Sequence, residues 1–239
     1  MRSLDVATSQ HRSPSSLQHL TREDSASFRI VESGGNMAGP TRQAVLAEFV
    51  GTFLLVLIGC GTILSSGNIE KLDPKAVGGH QSALLCAVFA FSVSILFLVT
   101  TLRDVSGCHI NPAVSFAMLL KRSMDWQSFL WYLAAQFAGA TGASLVHWAL
   151  IPYSESFALG ATRLGYHTSP WQGMFIEMFA TFILLLVIIG NSHKENNFTV
   201  AFTVAPVIAG DILFCGPLTG ASMNPARSFG PGLVSSTWR

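Results

Sequence analysis

Apolar residues fall along this chain in long blocks instead of alternating with polar ones. Ala83 to Val99, Phe129 to Leu150 and Gly173 to Gly190 carry almost no charge. A run of ~20 apolar residues is long enough to cross a bilayer as a helix. The pattern predicts five full spans, at Ala44 to Leu64, Ser82 to Leu102, Trp126 to Leu150, Trp171 to Gly190 and Phe198 to Phe214. Two shorter segments, Asn111 to Leu120 and Asn224 to Leu233, reach about half a membrane thickness at ~1.5 Å per residue. Both open at Asn-Pro, a helix-start signal: Asn suits the N-cap, and Pro suits the first helical position, where its missing N–H costs nothing.

Composition agrees with that pattern. Half of the 239 residues are hydrophobic and 11% are charged, against roughly 25% in a soluble domain. The expected class is an all-α membrane protein. Net charge is +1, and no basic run points to nucleic acid. Cys60, Cys86, Cys108 and Cys215 stand far apart, so neither a metal site nor a disulfide framework is indicated. There is no nucleophile–base set or phosphate loop, so no enzyme chemistry and no cofactor are expected.

Residues 1 to 43 differ from the rest. They are rich in Ser, Arg, Gln, Glu and Asp with no apolar core, which excludes a secretory signal peptide and predicts a disordered cytoplasmic tail. The serines at 13, 15, 16, 25 and 27 are read as solvated linker, with phosphorylation as the alternative. Basic residues near the spans set the orientation. Arg42, Arg103, Lys121, Arg122 and Lys194 lie on one side, against Lys71, Lys75 and Arg163 on the other. The bias places the N-terminus in the cytoplasm, leaves the sequon at Asn197 unglycosylated and, with five spans, puts the C-terminus outside.

Two stretches repeat. Glu48-Phe49-Val50-Gly51-Thr52-Phe53 matches Glu177-Met178-Phe179-Ala180-Thr181-Phe182, and Ser106 to Phe116 matches Thr219 to Phe229. The second match contains Asn111-Pro112-Ala113 and Asn224-Pro225-Ala226. Repeat 1 is set at about residues 44–150 and repeat 2 at about 171–239. Three spans separate corresponding points, so the second unit must insert upside down. Inverted repeats of this kind place a shared site near the bilayer midplane. Irregular backbone at that depth is tolerated where it lines a cavity or is buried in protein.

Two helix N-termini meeting there each bring roughly half a positive charge, which repels cations, and the Asn111 and Asn224 amides supply uncharged donors. A passing water turns its oxygen toward them and is poorly placed to relay protons. Arg227 follows the second motif; an intramembrane Arg reads as functional by default, with interfacial snorkelling as the alternative. Glu48 and Glu177 are read as structural carboxylates that accept backbone N–H groups, with a proton relay in a proton-coupled transporter as the alternative. Ala135, Gly139 and Ala143, with Gln136 beside them, form a small-residue packing stripe.

Over Ala44 to Leu233 the chain resembles the aquaporin (major intrinsic protein) family. The resemblance implies an inverted-repeat bundle of six spans and two re-entrant half-helices, assembled as homotetramers. It implies a selectivity filter of Phe91, Ile212, Ala221 and Arg227, and a loop-supporting role for His109, with pH gating as a minority alternative. Asp211-Ile212-Leu213 with Gly216-Pro217 is similar to the aquaporin-8-like subgroup, although that subgroup usually carries His where Phe91 stands. Ser228 stands where glycerol-conducting members carry Asp. Asp211 is read either as a cation collector at the outer mouth or as a solvated interfacial carboxylate.

The implied sixth span has no counterpart before Arg239, fifteen residues past Asn224, so five full spans are expected with the sixth missing. The expected function is passive passage of water and small neutral solutes such as hydrogen peroxide, ammonia or small polyols, excluding protons and ions. The alternative is a truncated, non-conducting subunit that forms hetero-oligomers with related channels and regulates them. The expected location is the plasma membrane in preference to an organelle.

Overall fold

The computed structural model describes residues 39–72, 80–152 and 154–237. The predicted tail therefore lies outside the described residues up to residue 38. The chain forms seven α-helices among those residues: α1 (Arg42–Leu72), α2 (His80–Ser106), α3 (Pro112–Leu120), α4 (Trp126–Leu150), α5 (Pro170–Gly190), α6 (Asn197–Thr219) and α7 (Pro225–Val234). A 3-10 segment, Ser154–Gly160, lies between α4 and α5. Five helices, α1, α2, α4, α5 and α6, are long and apolar enough to cross a membrane.

Local signals explain most boundaries. Asp125 caps α4 by accepting from the Ser128 N–H, and Asn196 caps α6 through the Thr199 N–H. Ser169 and Gln172 form a reciprocal capping box at α5, which satisfies two donors left free in the first turn. The half-helices start as their Asn-Pro pairs predict, with Asn111 and Asn224 as N-caps and proline next.

Three spans outrun their apolar runs. The first continues from Leu64 to Leu72, and the second takes in His80 and extends to Ser106. The last runs through Pro217 to Thr219 and stops where Gly220 adopts φ 85°. Hydrophobic length measures the hydrocarbon core, whereas a helix continues into the polar headgroup layer until a capping residue ends it.

Packing follows the small residues. The α1–α4 and α2–α6 pairs are the most extensive contacts, and α7 lies across α4. A Cβ on Gly139 would stand 2.4 Å from the Phe49 carbonyl oxygen, and one on Gly230 would stand 2.5 Å from the Ala140 carbonyl carbon. Backbones therefore meet directly at both crossings, as the stripe around Gly139 predicts. Leu55, Val56 and Cys60 of α1, Phe91, Ile95 and Leu98 of α2, and Val204, Ile208 and Ile212 of α6 share one buried cluster. The loops leading into α3 and α7 contribute Cys108, Ile110, Ala221 and Met223 to it.

Candidate functional site

The two half-helices meet N-terminus to N-terminus and are cross-linked by their own caps. Asn111 Nδ2 donates to the Met223 carbonyl at 2.8 Å, and Asn224 Nδ2 donates to the Ile110 carbonyl at 2.9 Å. Asn111 Oδ1 accepts from Ala113 N at 2.9 Å; Asn224 Oδ1 accepts from Ala226 N at 3.1 Å and Arg227 N at 3.3 Å. A primary amide carries two N–H bonds, so each asparagine keeps one donor beyond the cross-link. Both side chains are buried.

The approach loops share an unusual backbone. Gly107, Cys108 and Ile110 have φ of 84°, 51° and 43°; their repeat partners Gly220, Ala221 and Met223 have 85°, 46° and 50°. A left-handed conformation is uncommon outside glycine and persists only where the surroundings impose it. Here carboxylates impose it. Glu48 accepts from Ser106 Oγ (2.7 Å), His109 N (2.8 Å), Ile110 N (2.6 Å) and Gln136 Nε2 (2.9 Å). Glu177 accepts from Thr219 Oγ1 (2.6 Å), Ser222 N (2.9 Å) and Met223 N (2.8 Å). The backbone N–H groups that an ordinary turn would leave unpaired thus end on anions, which form the stronger class of hydrogen bond.

His109 contributes its backbone N–H to Glu48, while its ring Nδ1 sits 3.1 Å from Ser115 Oγ and packs edge-on against Tyr132. The small-residue stripe beside Gln136 predicts packing alone. Gln136 also donates to Ser115 Oγ at 2.9 Å, so its amide joins α4 to both α1 and α3.

Arg227 does not snorkel. It is 3% exposed, its Nη1 donates to the Gly160 carbonyl at 2.7 Å, and its guanidinium carbon lies 5.3 Å from the centre of the Phe91 ring. The Phe91 ring fits because residue 59 is glycine: a Cβ there would lie 2.2 Å from the ring. Ile212 and Ala221 are buried in the same apolar cluster as Phe91.

The 3-10 segment that presents Gly160 has no strong local signal in the sequence. Ala158, Leu159 and Gly160 all take positive φ there, and a Cβ on Gly160 would meet the Cys60 Cβ at 2.9 Å. Ser228 joins a hydroxyl chain, 2.7 Å from Thr162 Oγ1 and 2.5 Å from Ser222 Oγ. Asp211 is buried, and its Oδ2 has no hydrogen-bond partner among the described residues.

Comparison with known proteins points the same way. The family model for "Major intrinsic protein" matches residues 38–239. The chain is 36% identical over 197 residues to glycerol uptake facilitator protein-like 6 of Lactiplantibacillus plantarum, covering 80% of this chain and 83% of that protein. It is 33% identical over 199 residues to aquaporin-4 of Homo sapiens, covering 82% of this chain and 59% of that one. The chain thus spans less than two thirds of the length of the aquaporin-4 relatives it matches. Among solved structures it resembles the aquaglyceroporin from Plasmodium falciparum, with a TM-score of 0.70, 23% identity and coverage of 81% and 80%. That likeness concerns the fold.

Proposed function

The chain belongs to the major intrinsic protein family and is a multi-pass integral membrane protein; on that footing we propose that it is a passive channel for water and small neutral solutes. The observation that carries this reading is the reciprocal asparagine junction. Two helix N-termini converge there, and each amide keeps one N–H after its cross-link. Positive helix ends repel cations, while a neutral amide offers a solute oxygen a hydrogen bond without charge. A permeating water is turned by the two donors, which interrupts a proton wire.

Arg227 adds the second barrier. Its buried guanidinium spends one bond on Gly160 and, with five N–H donors in all, retains others for a solute. Phe91 and Ile212 would face those donors as apolar walls. Such a filter would bind polar groups through one side only and would admit hydrogen peroxide, ammonia or small polyols besides water. Glu48 and Glu177 serve as braces for the loops, and His109 as a support of the first. In this reading the channel domain takes residues 44–239. The N-terminus faces the cytoplasm, the protein resides in the plasma membrane, and the working unit is a homotetramer.

The test is a panel of osmotic challenges on proteoliposomes holding the purified chain. We expect water flux well above that of empty liposomes, with no proton leak. Phe91→Ala should raise glycerol flux relative to water, because it widens the filter wall. Flux equal to that of empty liposomes for every solute would reject the proposal.

One observation favours a second reading, a non-conducting subunit that assembles with related channels. The apolar window of α5 is 17% buried, against 39% to 50% in the other four spans. Its Phe175, Phe179 and Phe182 are exposed. A helix of another chain would cover that face. Co-purification with a related channel, without permeability of its own, would establish this reading.

A further inference from the structure

The C-terminal end of α4 borders a cavity of about 410 Å³ that the channel reading leaves unused. That size falls within the roughly 300–1,000 Å³ of small-molecule pockets. Its walls come from the last turn of α4 and the 3-10 segment that follows, with Trp148, Leu150, Pro152 and Glu155 among them. Leu150 ends a helix long and apolar enough to cross a membrane, so the cavity opens where hydrocarbon gives way to water. Tryptophan is enriched at that level of a bilayer.

Three sources of negative potential surround the cavity. The first is the carboxylate of Glu155, which lies in the first turn of the 3-10 segment and is exposed. It accepts from Trp148 Nε1 at 2.7 Å, and no Lys or Arg among the described residues pairs with it. The second is the end of α4, since a helix C-terminus carries roughly half a negative charge. Pro152 adds to this: it has no N–H with which to give the Trp148 carbonyl its helical hydrogen bond. The third is the face of the Trp148 ring. An indole N–H lies in the ring plane, so its bond to Glu155 leaves both π faces clear of the carboxylate, and the residue is 55% exposed.

A carboxylate beside a negative helix end is unfavourable unless a cation joins them. The histidine of that turn does not serve, because His147 is buried with its Nε2 engaged 2.9 Å from the Leu57 carbonyl. Among the described residues no three His, Cys, Asp or Glu side chains gather at one point, whereas a hard divalent ion such as calcium takes about six to eight oxygen ligands. One carboxylate and an exposed indole suit a weakly hydrated organic cation, and aromatic faces recognise quaternary ammonium groups without a hydrogen bond. We propose that this cavity binds a quaternary ammonium group, held between the Trp148 ring and the Glu155 carboxylate at the end of α4. Such a group arrives either as the choline headgroup of a phospholipid or as a free cation in water. Leu145, one turn before Trp148 on the same helix face and likewise half exposed, offers a lipid chain an apolar track below the headgroup. The site is separate from the asparagine junction and does not depend on conduction.

The purified chain is placed in nanodiscs of phosphatidylglycerol, and binding of tritiated choline is measured with sodium chloride in large excess. Saturable binding is expected, about tenfold weaker in Glu155→Gln and in Trp148→Leu. Ethanolamine and the neutral tert-butyl analogue of choline should each compete about tenfold less well than choline. Fluorine NMR of the chain labelled with fluorotryptophan needs no disruptive variant: choline should move one resonance, the one missing from Trp148→Phe. Nanodiscs of phosphatidylcholine separate the two sources. Choline binding weakened there assigns the site to the lipid headgroup, and equal binding assigns it to a soluble cation; either upholds the recognition. Absence of saturable binding in phosphatidylglycerol, or a Trp148 resonance that choline leaves in place, would overturn the proposal. So would binding undiminished in Glu155→Gln, or equal affinity for the neutral analogue.

Discussion

The loop entering α3 and the loop entering α7 have one skeleton and two kinds of dressing. Both take left-handed φ at matched positions, both end in an asparagine cap, and both are braced by a glutamate one repeat apart. Ser106 and Thr219 play one part in each: their hydroxyls donate to the glutamate and accept from the backbone N–H two residues on. The differences lie in what surrounds that skeleton. Glu48 is fully buried and receives a fourth donor from Gln136, whereas Glu177 is half-buried with three donors. Where the first half-helix carries Val114, the second carries Arg227. Ser115 meets His109, while its counterpart Ser228 meets Ser222 and Thr162. Backbone geometry is the duplicated part. In the proposed channel, selectivity chemistry falls to side chains that only one copy has.

That comparison breaks most visibly at the glutamates. Glu48→Ala strands four donors at a fully buried position, at about 1–3 kcal/mol for each that stays unpaired. We expect no monodisperse protein by size-exclusion chromatography. Glu177→Ala, half-buried, should remain folded with about 2 kcal/mol less stability, read as a lower midpoint of thermal aggregation. Equal losses at the two sites would mean that burial is not what separates the loops.

Gln136→Leu sharpens the contrast by removing the donor found only in the first loop. It should cost about 1–2 kcal/mol and leave Glu48 held by three donors, as Glu177 is. Smaller still are the caps. Asn111→Ala and Asn224→Ala should each cost about 1 kcal/mol, with the larger loss at Asn224, which caps two N–H groups instead of one.

Asp125 provides a reference outside both loops. Burial alone would raise its carboxyl, but hydrogen bonds from the Ser128 side chain and from nearby backbone N–H groups outweigh it and hold the group below its usual range. A carboxyl depressed in the folded state contributes stability above its unfolded pKa and loses it as pH falls through the folded one. Asp125→Ala should therefore cost about 1 kcal/mol near neutral pH and progressively less as pH falls through and below the ordinary carboxylate range. Thermal midpoints of the two proteins across that range check it. A constant difference would show that the carboxylate charge plays no part in the cap.

Much of the bundle was legible because its signals are local or duplicated. Long apolar runs marked the spans, Asn-Pro marked the half-helices, and the matched glutamates marked the braces. Three features were not legible, because they depend on contacts between distant residues. Gly160 holds Arg227 across 67 positions, through a 3-10 turn that leaves little periodicity. Gln136 sits in a small-residue stripe whose pattern speaks only of packing, yet its amide is the fourth donor to Glu48. Asp211 stands near the end of an apolar run, where an interfacial carboxylate is the ordinary reading, and its burial shows only in the folded chain.

Osmotic shrinkage of proteoliposomes, followed by stopped-flow light scattering on the chain and on Asn224→Asp, tests the central claim most directly. The reciprocal asparagine junction predicts fast shrinkage with a low activation energy. It also predicts loss of that flux in the variant, whose carboxylate can neither donate to Ile110 nor offer a solute an N–H. Shrinkage no faster than that of empty liposomes, or flux unchanged by Asn224→Asp, would contradict a pore at this junction.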